Sequence, residues 1–136
     1  IEKLIGSGDG KTVFIIEDDE ELRFLLREAL TKESYLVIEA ENGKVALNEL
    51  EAAIESPDLI LLDLNMPVMN GFEFLEVYRE KFGNNVPIVV VTGADLNEKD
   101  KEFLSGEVTR ILEKTPDTEG TIASDVAKVL RNVKMG

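Results

Sequence analysis

The chain carries two rhythms of apolar positions, and each change of rhythm marks the border of an element. Thr12-Val13-Phe14-Ile15-Ile16, Leu36-Val37-Ile38, Leu59-Ile60-Leu61-Leu62 and Ile88-Val89-Val90-Val91 are runs too short for helices. Such runs predict strands, the unbroken apolar ones buried on both faces. A fifth strand is expected at Val108 to Leu112. Between the runs, apolar residues recur every three or four positions, the spacing of one helix face. The sets are Leu22, Leu25, Leu26 and Ala29; Ala46, Leu47, Leu50, Ala53 and Ile54; Phe72, Leu75 and Tyr78; and Ile122, Val126, Val129, Leu130 and Val133. A short charged helix is expected from about Asn97 to Leu104. Asn42-Gly43, Pro67 with Gly71, and Gly83-Asn84-Asn85 supply the breaks.

Strand and helix thus alternate five times, which implies an α/β domain with one parallel sheet and helices on both faces. There is no internal repeat beyond that alternation, no low-complexity segment and no sign of a second domain. Residues 1–11 combine Ile1-Glu2-Lys3-Leu4-Ile5 with the glycine-rich Gly6-Ser7-Gly8-Asp9-Gly10. They are expected to be a linker or the tail of an upstream segment, and 12–136 to be the domain. A first residue of Ile1 in place of Met adds the expectation of a piece cut from a longer protein.

Composition narrows the chemistry. At 136 residues, 43% hydrophobic and 32% charged, the chain is long enough for one packed core and too apolar to be disordered. Its net charge of −13 opposes phosphate backbones and anionic lipid, so direct binding to nucleic acid or to a membrane is not expected. Cysteine and histidine are absent, which removes thiolate nucleophiles, disulfides, imidazole acid–base catalysis and nitrogen- or sulfur-ligated metals. The lack of cysteine fits a reducing compartment, and a cytoplasmic location is expected. No apolar run approaches the ~20 residues of a membrane span.

What remains is oxygen chemistry, and it gathers where strands end. Glu17 and Asp18 follow the first strand, Asp63 the third, Thr92 the fourth, and Lys114 the fifth. In a parallel sheet these ends share one edge, where ligands bind in open α/β folds. The neighbours Asp19, Glu20 and Glu21 suit a helix N-terminus; Glu17 and Asp18 fit that role less well. Three converging carboxylates call for a cation, and all-oxygen ligands call for a hard one, Mg²⁺. The backbone carbonyl of Asn65, two residues past Asp63, is a further candidate ligand. Lys114 can pair with Asp63 or with an anion attached to it, and Thr92 can donate its hydroxyl to the same anion. Metal, carboxylate, lysine and hydroxyl together make a phosphoryl-transfer site.

On these residues the chain resembles the receiver domains of two-component response regulators, the CheY-like superfamily, over about Lys11 to Val133. Asp63-x-x-x-Pro67-x-x-x-Gly71, the Glu17-Asp18 pair, Thr92 and Lys114 fall at that family's motif positions. The resemblance implies a flavodoxin-like, doubly wound, five-stranded parallel sheet of order 2-1-3-4-5 with five helices. It implies that Asp63 is the phosphoacceptor, that Glu17 and Asp18 serve Mg²⁺, with Asp18 the more direct ligand, and that Thr92 and Lys114 read the phosphoryl group. The phosphodonor would be a histidine on a partner kinase or phosphotransfer protein. A homodimer through the last two helices and fifth strand is among the family's options, as is membership of a hybrid histidine kinase or multidomain regulator.

Three positions depart from the family pattern. Thr115 separates Lys114 from Pro116, where the family usually has proline directly in a cis peptide. Gly93 replaces the usual alanine after the threonine, leaving more room for the phosphoryl group or water. Ile111 stands at the usually aromatic switch position; it is expected to fill a buried site at rest, leaving the Gly93 to Asn97 loop to carry the motion. Two alternatives stay open at this stage: a receiver-like interaction module independent of phosphate, and a haloacid-dehalogenase-type phosphatase. The second needs an acid two residues after Asp63, where this chain has Asn65. Neither G-x-G-x-x-G nor a Walker A pattern supports nucleotide binding.

Overall fold

The computed structural model describes residues 10–135, and side chains as far as residue 132. Most of the expected leading tail, and the side chain of Val133, lie outside the described residues. The order is β1 (Thr12–Ile16), α1 (Glu20–Lys32), β2 (Leu36–Ala40), α2 (Gly43–Ala52), β3 (Leu59–Leu62), α3 (Gly71–Phe82), β4 (Ile88–Thr92), α4 (Glu98–Glu107), β5 (Arg110–Glu113) and α5 (Thr118–Met135). The strands form one sheet of order β2-β1-β3-β4-β5, and every neighbouring pair is parallel. This is the expected doubly wound architecture.

Strand alternation divides the core in two. Phe14, Ile16, Ile60, Leu62, Ile88 and Val90 face α2 and α3, meeting Leu47, Leu50, Phe74, Leu75 and Tyr78. Val13, Ile15, Leu59, Leu61, Val89 and Val91 face α1 and α5, meeting Leu26, Leu30, Ile122, Val126 and Leu130. β3 and β4 are buried along their whole length, which is why their sequences never alternate. Asx residues cap the helices that leave the same sheet edge. Asp19 accepts from the Glu21 and Leu22 amides, and Asn42 from that of Val45; Asn70 with Glu73 and Asn97 with Asp100 form capping boxes.

Two strands and two helices differ from the sequence expectation. α2 stops at Ala52, so Ala53 is its extended C-cap and Ile54, expected on the helix's apolar face, lies outside it and fully exposed. β2 continues through Glu39 to Ala40, because Arg23 and Arg27 neutralise the glutamate in mid-strand. α4 runs on to Glu107, so Val108 becomes its C-cap and β5 begins only at Arg110. β5 lies at the sheet edge with its ends exposed, so its pattern is less apolar than that of the strands inside.

α4 is attached unevenly. Leu104 is its one buried side chain among the described residues, and the Phe103 ring meets that of Phe72 at 6.0 Å. At its C-terminal end, Arg79 of α3 pairs with the Glu107 carboxylate at 3.2 Å and also donates to the Glu107 carbonyl and to that of Gly83. Leu104→Ala is expected to remove about 2–5 kcal/mol of packing, and to loosen α4 first. Amide exchange of residues 98–107 should rise well before that of β3 and β4; a uniform rise would show that α4 opens only with the whole domain.

Candidate functional site

Register brings the carboxylates together. Ile16 pairs with Leu62, and the Asp63 amide donates to the Ile16 carbonyl at 3.0 Å, so Glu17 and Asp63 stand side by side one residue past their strands. Both are buried, whereas Asp18 is exposed. The three carboxylates each offer an oxygen within 4.8 Å of the others. Lys114 reaches the same place from beyond β5. Its Nζ lies 3.1 Å from Glu17 Oε1 and 3.3 Å from Asp63 Oδ1, and its amide donates to the Thr92 carbonyl. Thr92, also buried, accepts the Ala94 amide on its hydroxyl. The structure therefore collects Glu17, Asp18, Asp63 and Lys114 into one cluster with Thr92 beside it, as the strand-end argument required.

Burial, reinforced by the Asp63 charge, pushes the Glu17 carboxyl up to about 7, although the Asp19 amide and Lys114 pull it back. Asp63 is raised as well, chiefly by burial, against the pull of Lys114 and the Asn65 amide. Lys114 is held above its ordinary value; burial works against its charge, but Glu17 and Asp63 outweigh that. When all three carboxylates are ionised, the single ammonium leaves two negative charges to balance, and the donors are all oxygen. That donor set and charge suit Mg²⁺.

The loop after Asp63 is built for close approach. A β-carbon on Gly71 would meet the Asp63 carbonyl oxygen at 2.6 Å and the Leu64 Cα at 2.8 Å, so only glycine fits. Just before it, the Met69 amide closes on the Pro67 carbonyl at 2.7 Å across Val68, whose φ is +69°. This is a strained conformation for a β-branched residue, and Val68 is 74% exposed, so burial does not compensate it.

Other site features were not visible in the sequence. Arg23 donates to the Glu17 carbonyl at 2.7 Å. Thr115 and Thr118 close the loop after Lys114: the Thr115 amide meets Thr118 Oγ1, and that hydroxyl meets the Thr115 carbonyl, each at 2.8 Å. No peptide bond among the described residues is cis. A β-carbon on Gly93 would sit 3.7 Å from the Lys114 stem, an ordinary contact, so the space glycine leaves lies along the lysine. Ile111 corrects its expectation: it is 36% exposed and not in a buried site. As a residue of the edge strand it borders a depression of about 370 Å³ shared with Thr92, Leu96 and Lys101. The Asn65 amide lies 3.4 Å from Asp63 Oδ1, a long contact from the residue whose carbonyl was the candidate ligand.

Comparison with known proteins agrees with this geometry. Residues 13–124 match the family profile of the response regulator receiver domain. The KDP operon transcriptional regulatory protein KdpE of Escherichia coli is 42% identical over 89 residues, 65% of this chain and 37% of that protein. Histidine kinase P4 of Formosa agariphila is 37% identical over 93 residues, 68% of this chain and 7% of that protein. The crystal structure of response regulator TrrA from Thermotoga maritima, in complex with Mg²⁺–BeF, superposes with a TM-score of 0.73 at 26% identity, covering 88% of this chain and 98% of that one. The chain spans little more than a third of the curated regulators it matches.

Two measurements follow from the site. Folded Glu17 keeps its proton to about pH 7, while unfolded it releases it near 4.5. The folded state therefore binds more protons between those values, and its advantage is lost as pH rises through 7. Metal-free protein should melt at a lower temperature at pH 8 than at pH 5, and Glu17→Gln should flatten that slope and raise the pH 8 melting point by about 3 °C or more. An equal slope in both proteins would exclude Glu17 as its source. Separately, Val68→Asn should stabilise the fold by about 1 kcal/mol by relieving the positive φ. Urea denaturation checks this, and a loss of stability would mean the valine is not strained.

Proposed function

The chain belongs to the response regulator receiver domain family, and from that premise we propose that Asp63 is a phosphoacceptor in a two-component phosphorelay. The observation that carries this is the placement of Asp63: a buried carboxylate at the end of a central strand, beside two further carboxylates, with Lys114 at 3.3 Å. In the proposed reaction, an Asp63 carboxylate oxygen attacks the phosphorus carried by a histidine of a kinase or phosphotransfer protein. The P–N bond breaks, its electron pair returns to the imidazole, and an acyl phosphate forms. Mg²⁺, held by Glu17, Asp18, Asp63 and the Asn65 carbonyl, would supply charge neutralisation for the phosphoryl oxygens.

The chain's own residues have separable roles. Lys114 is anchored to β4 through its amide, so its ammonium is delivered to Asp63 from a fixed root. It can exchange a carboxylate for a phosphoryl oxygen without leaving the site. Thr92 stands at the end of β4, and its hydroxyl can turn from the Ala94 amide towards the new anion. With Ile111 it is the proposed switch pair, and the depression between them gives the loop from Gly93 to Asn97 room to move. Asp18, the exposed member of the acidic pair, is the more direct metal ligand in this reading. The partner is a histidine kinase or phosphotransfer protein. The parent would be a hybrid kinase or multidomain regulator working in the cytoplasm, and α4, β5 and α5 offer a homodimer face. Among the described residues no helix is long and apolar enough to cross a membrane.

Incubation with acetyl phosphate and Mg²⁺ should add one phosphoryl group by intact-mass spectrometry. The adduct should be absent without Mg²⁺ and absent in Asp63→Asn. Equal labelling of Asp63→Asn would remove Asp63 as the acceptor, and no labelling of wild type under saturating donor would favour a phosphate-independent module.

A further inference from the structure

Arg23 takes no part in the phosphoryl chemistry above, yet it is bonded to the middle of the site. Its Nη1 donates to the Glu17 carbonyl at 2.7 Å, and its Nε to Glu39 Oε1 at 3.1 Å. Glu39 is held from its other oxygen by Arg27 at 2.6 Å, so the guanidinium of Arg23 is aimed by a fixed carboxylate on β2. The Glu17 amide bonds the Ala40 carbonyl, the next residue of the same strand. Glu17 is thus tied to β2 through both its backbone groups, once directly and once through Arg23. The carbonyl concerned belongs to the peptide that joins Glu17 to Asp18. That peptide is planar, so a bond to its oxygen, with the Glu17 amide already held, restrains rotation of the plane from whose two ends the acidic residues depart.

We propose that Arg23 is the positioning residue of the acidic pair: it holds the Glu17–Asp18 peptide so that both carboxylates face a divalent cation beside Asp63. This rests on reading Glu17, Asp18 and Asp63 as the Mg²⁺ site. The role is orientation and not general support of the fold. A surface depression of about 240 Å³ lies against Arg23, Glu39 and Val45, so water can take over the Glu17 carbonyl when the side chain is shortened. Water satisfies the oxygen but does not aim it. Partners that orient metal ligands in this way typically account for about 10- to 100-fold in metal affinity.

The test measures Mg²⁺ affinity of the full chain by isothermal titration calorimetry, since the chain has no tryptophan to report binding. Mn²⁺-induced line broadening at the Glu17 and Asp18 amides provides a second readout, and melting temperature is followed in parallel. Arg23→Met should weaken Mg²⁺ binding about tenfold. Arg23→Lys, which keeps one donor for the carbonyl, should recover part of that loss. Arg27→Met, which frees the far side of Glu39 but leaves the Arg23–Glu39 and Arg23–Glu17 bonds in place, should lose clearly less affinity than Arg23→Met does. A loss below about threefold in Arg23→Met, with or without a lower melting temperature, would leave Arg23 as a brace and overturn the proposal. An equal loss in Arg27→Met would overturn it too, by showing general loosening. If Arg23→Met does not fold, Glu39→Gln takes its place, with the same threshold, because it removes the charge that aims Arg23. Wild type binding no Mg²⁺ would sink the metal reading and this inference with it, a result distinct from wild type and Arg23→Met binding alike.

Discussion

Like-charge repulsion at one sheet edge is the constraint around which this domain is arranged. Parallel pairing of β1 with β3 forces Glu17 against Asp63 in a place with little water. Two buried carboxylates at that range cannot both ionise freely without a counter-charge. Lys114 supplies one from across the sheet, which ties the end of β5 to the ends of β1 and β3. The sheet order makes this reach feasible: β4 stands between, and the Lys114 amide is fastened to its last residue. The site is therefore strained in its resting charge state, and a functional edge of this kind is bought with stability that the two apolar layers beneath it must provide.

The inner strands were legible in the sequence because burial on both faces leaves no polar residue inside them. The same reasoning located Asp63, Thr92 and the acidic pair, since a polar residue directly after such a run has to lie at the sheet edge. It failed where charges are neutralised locally. Glu39 sits in β2 only because two arginines arrive from α1, and nothing in the order of residues announces that pairing. It failed again at β5, the edge strand opposite β2, where Ile111 was expected inside and lies partly outside. An adjacent apolar pair such as Ile111–Leu112, on a short half-covered strand, has no period to say which of the two faces inward.

The remaining gaps in the reading share a physical cause. Arg23 on the Glu17 carbonyl, and Thr118 on Thr115, are bonds from side chains to main-chain atoms. Such bonds depend on backbone direction, which residue identity specifies weakly. Gly71 is the instructive exception. Its place in the Asp63-x-x-x-Pro67-x-x-x-Gly71 spacing could be read, but its reason could not. Only the folded loop reveals that the start of α3 passes so near the Asp63 carbonyl that a single carbon would not fit.

The uneven attachment of α4 has a mechanical consequence. Its anchors, from Phe103 to Glu107, occupy the second half of the helix, and Arg79 clamps the last residue from two directions. The first turn is held by its own capping box. Such a helix is a cantilever, clamped firmly at its far end and tied at the other by Leu96 just before its cap. Ten residues make a beam of about 15 Å, so a tilt of roughly 10° at the clamp carries the tip about 2–3 Å. The tip stands next to the loop that Thr92 begins. A displacement too small to disturb the core at Leu104 is thus magnified beside the strand end that carries Thr92.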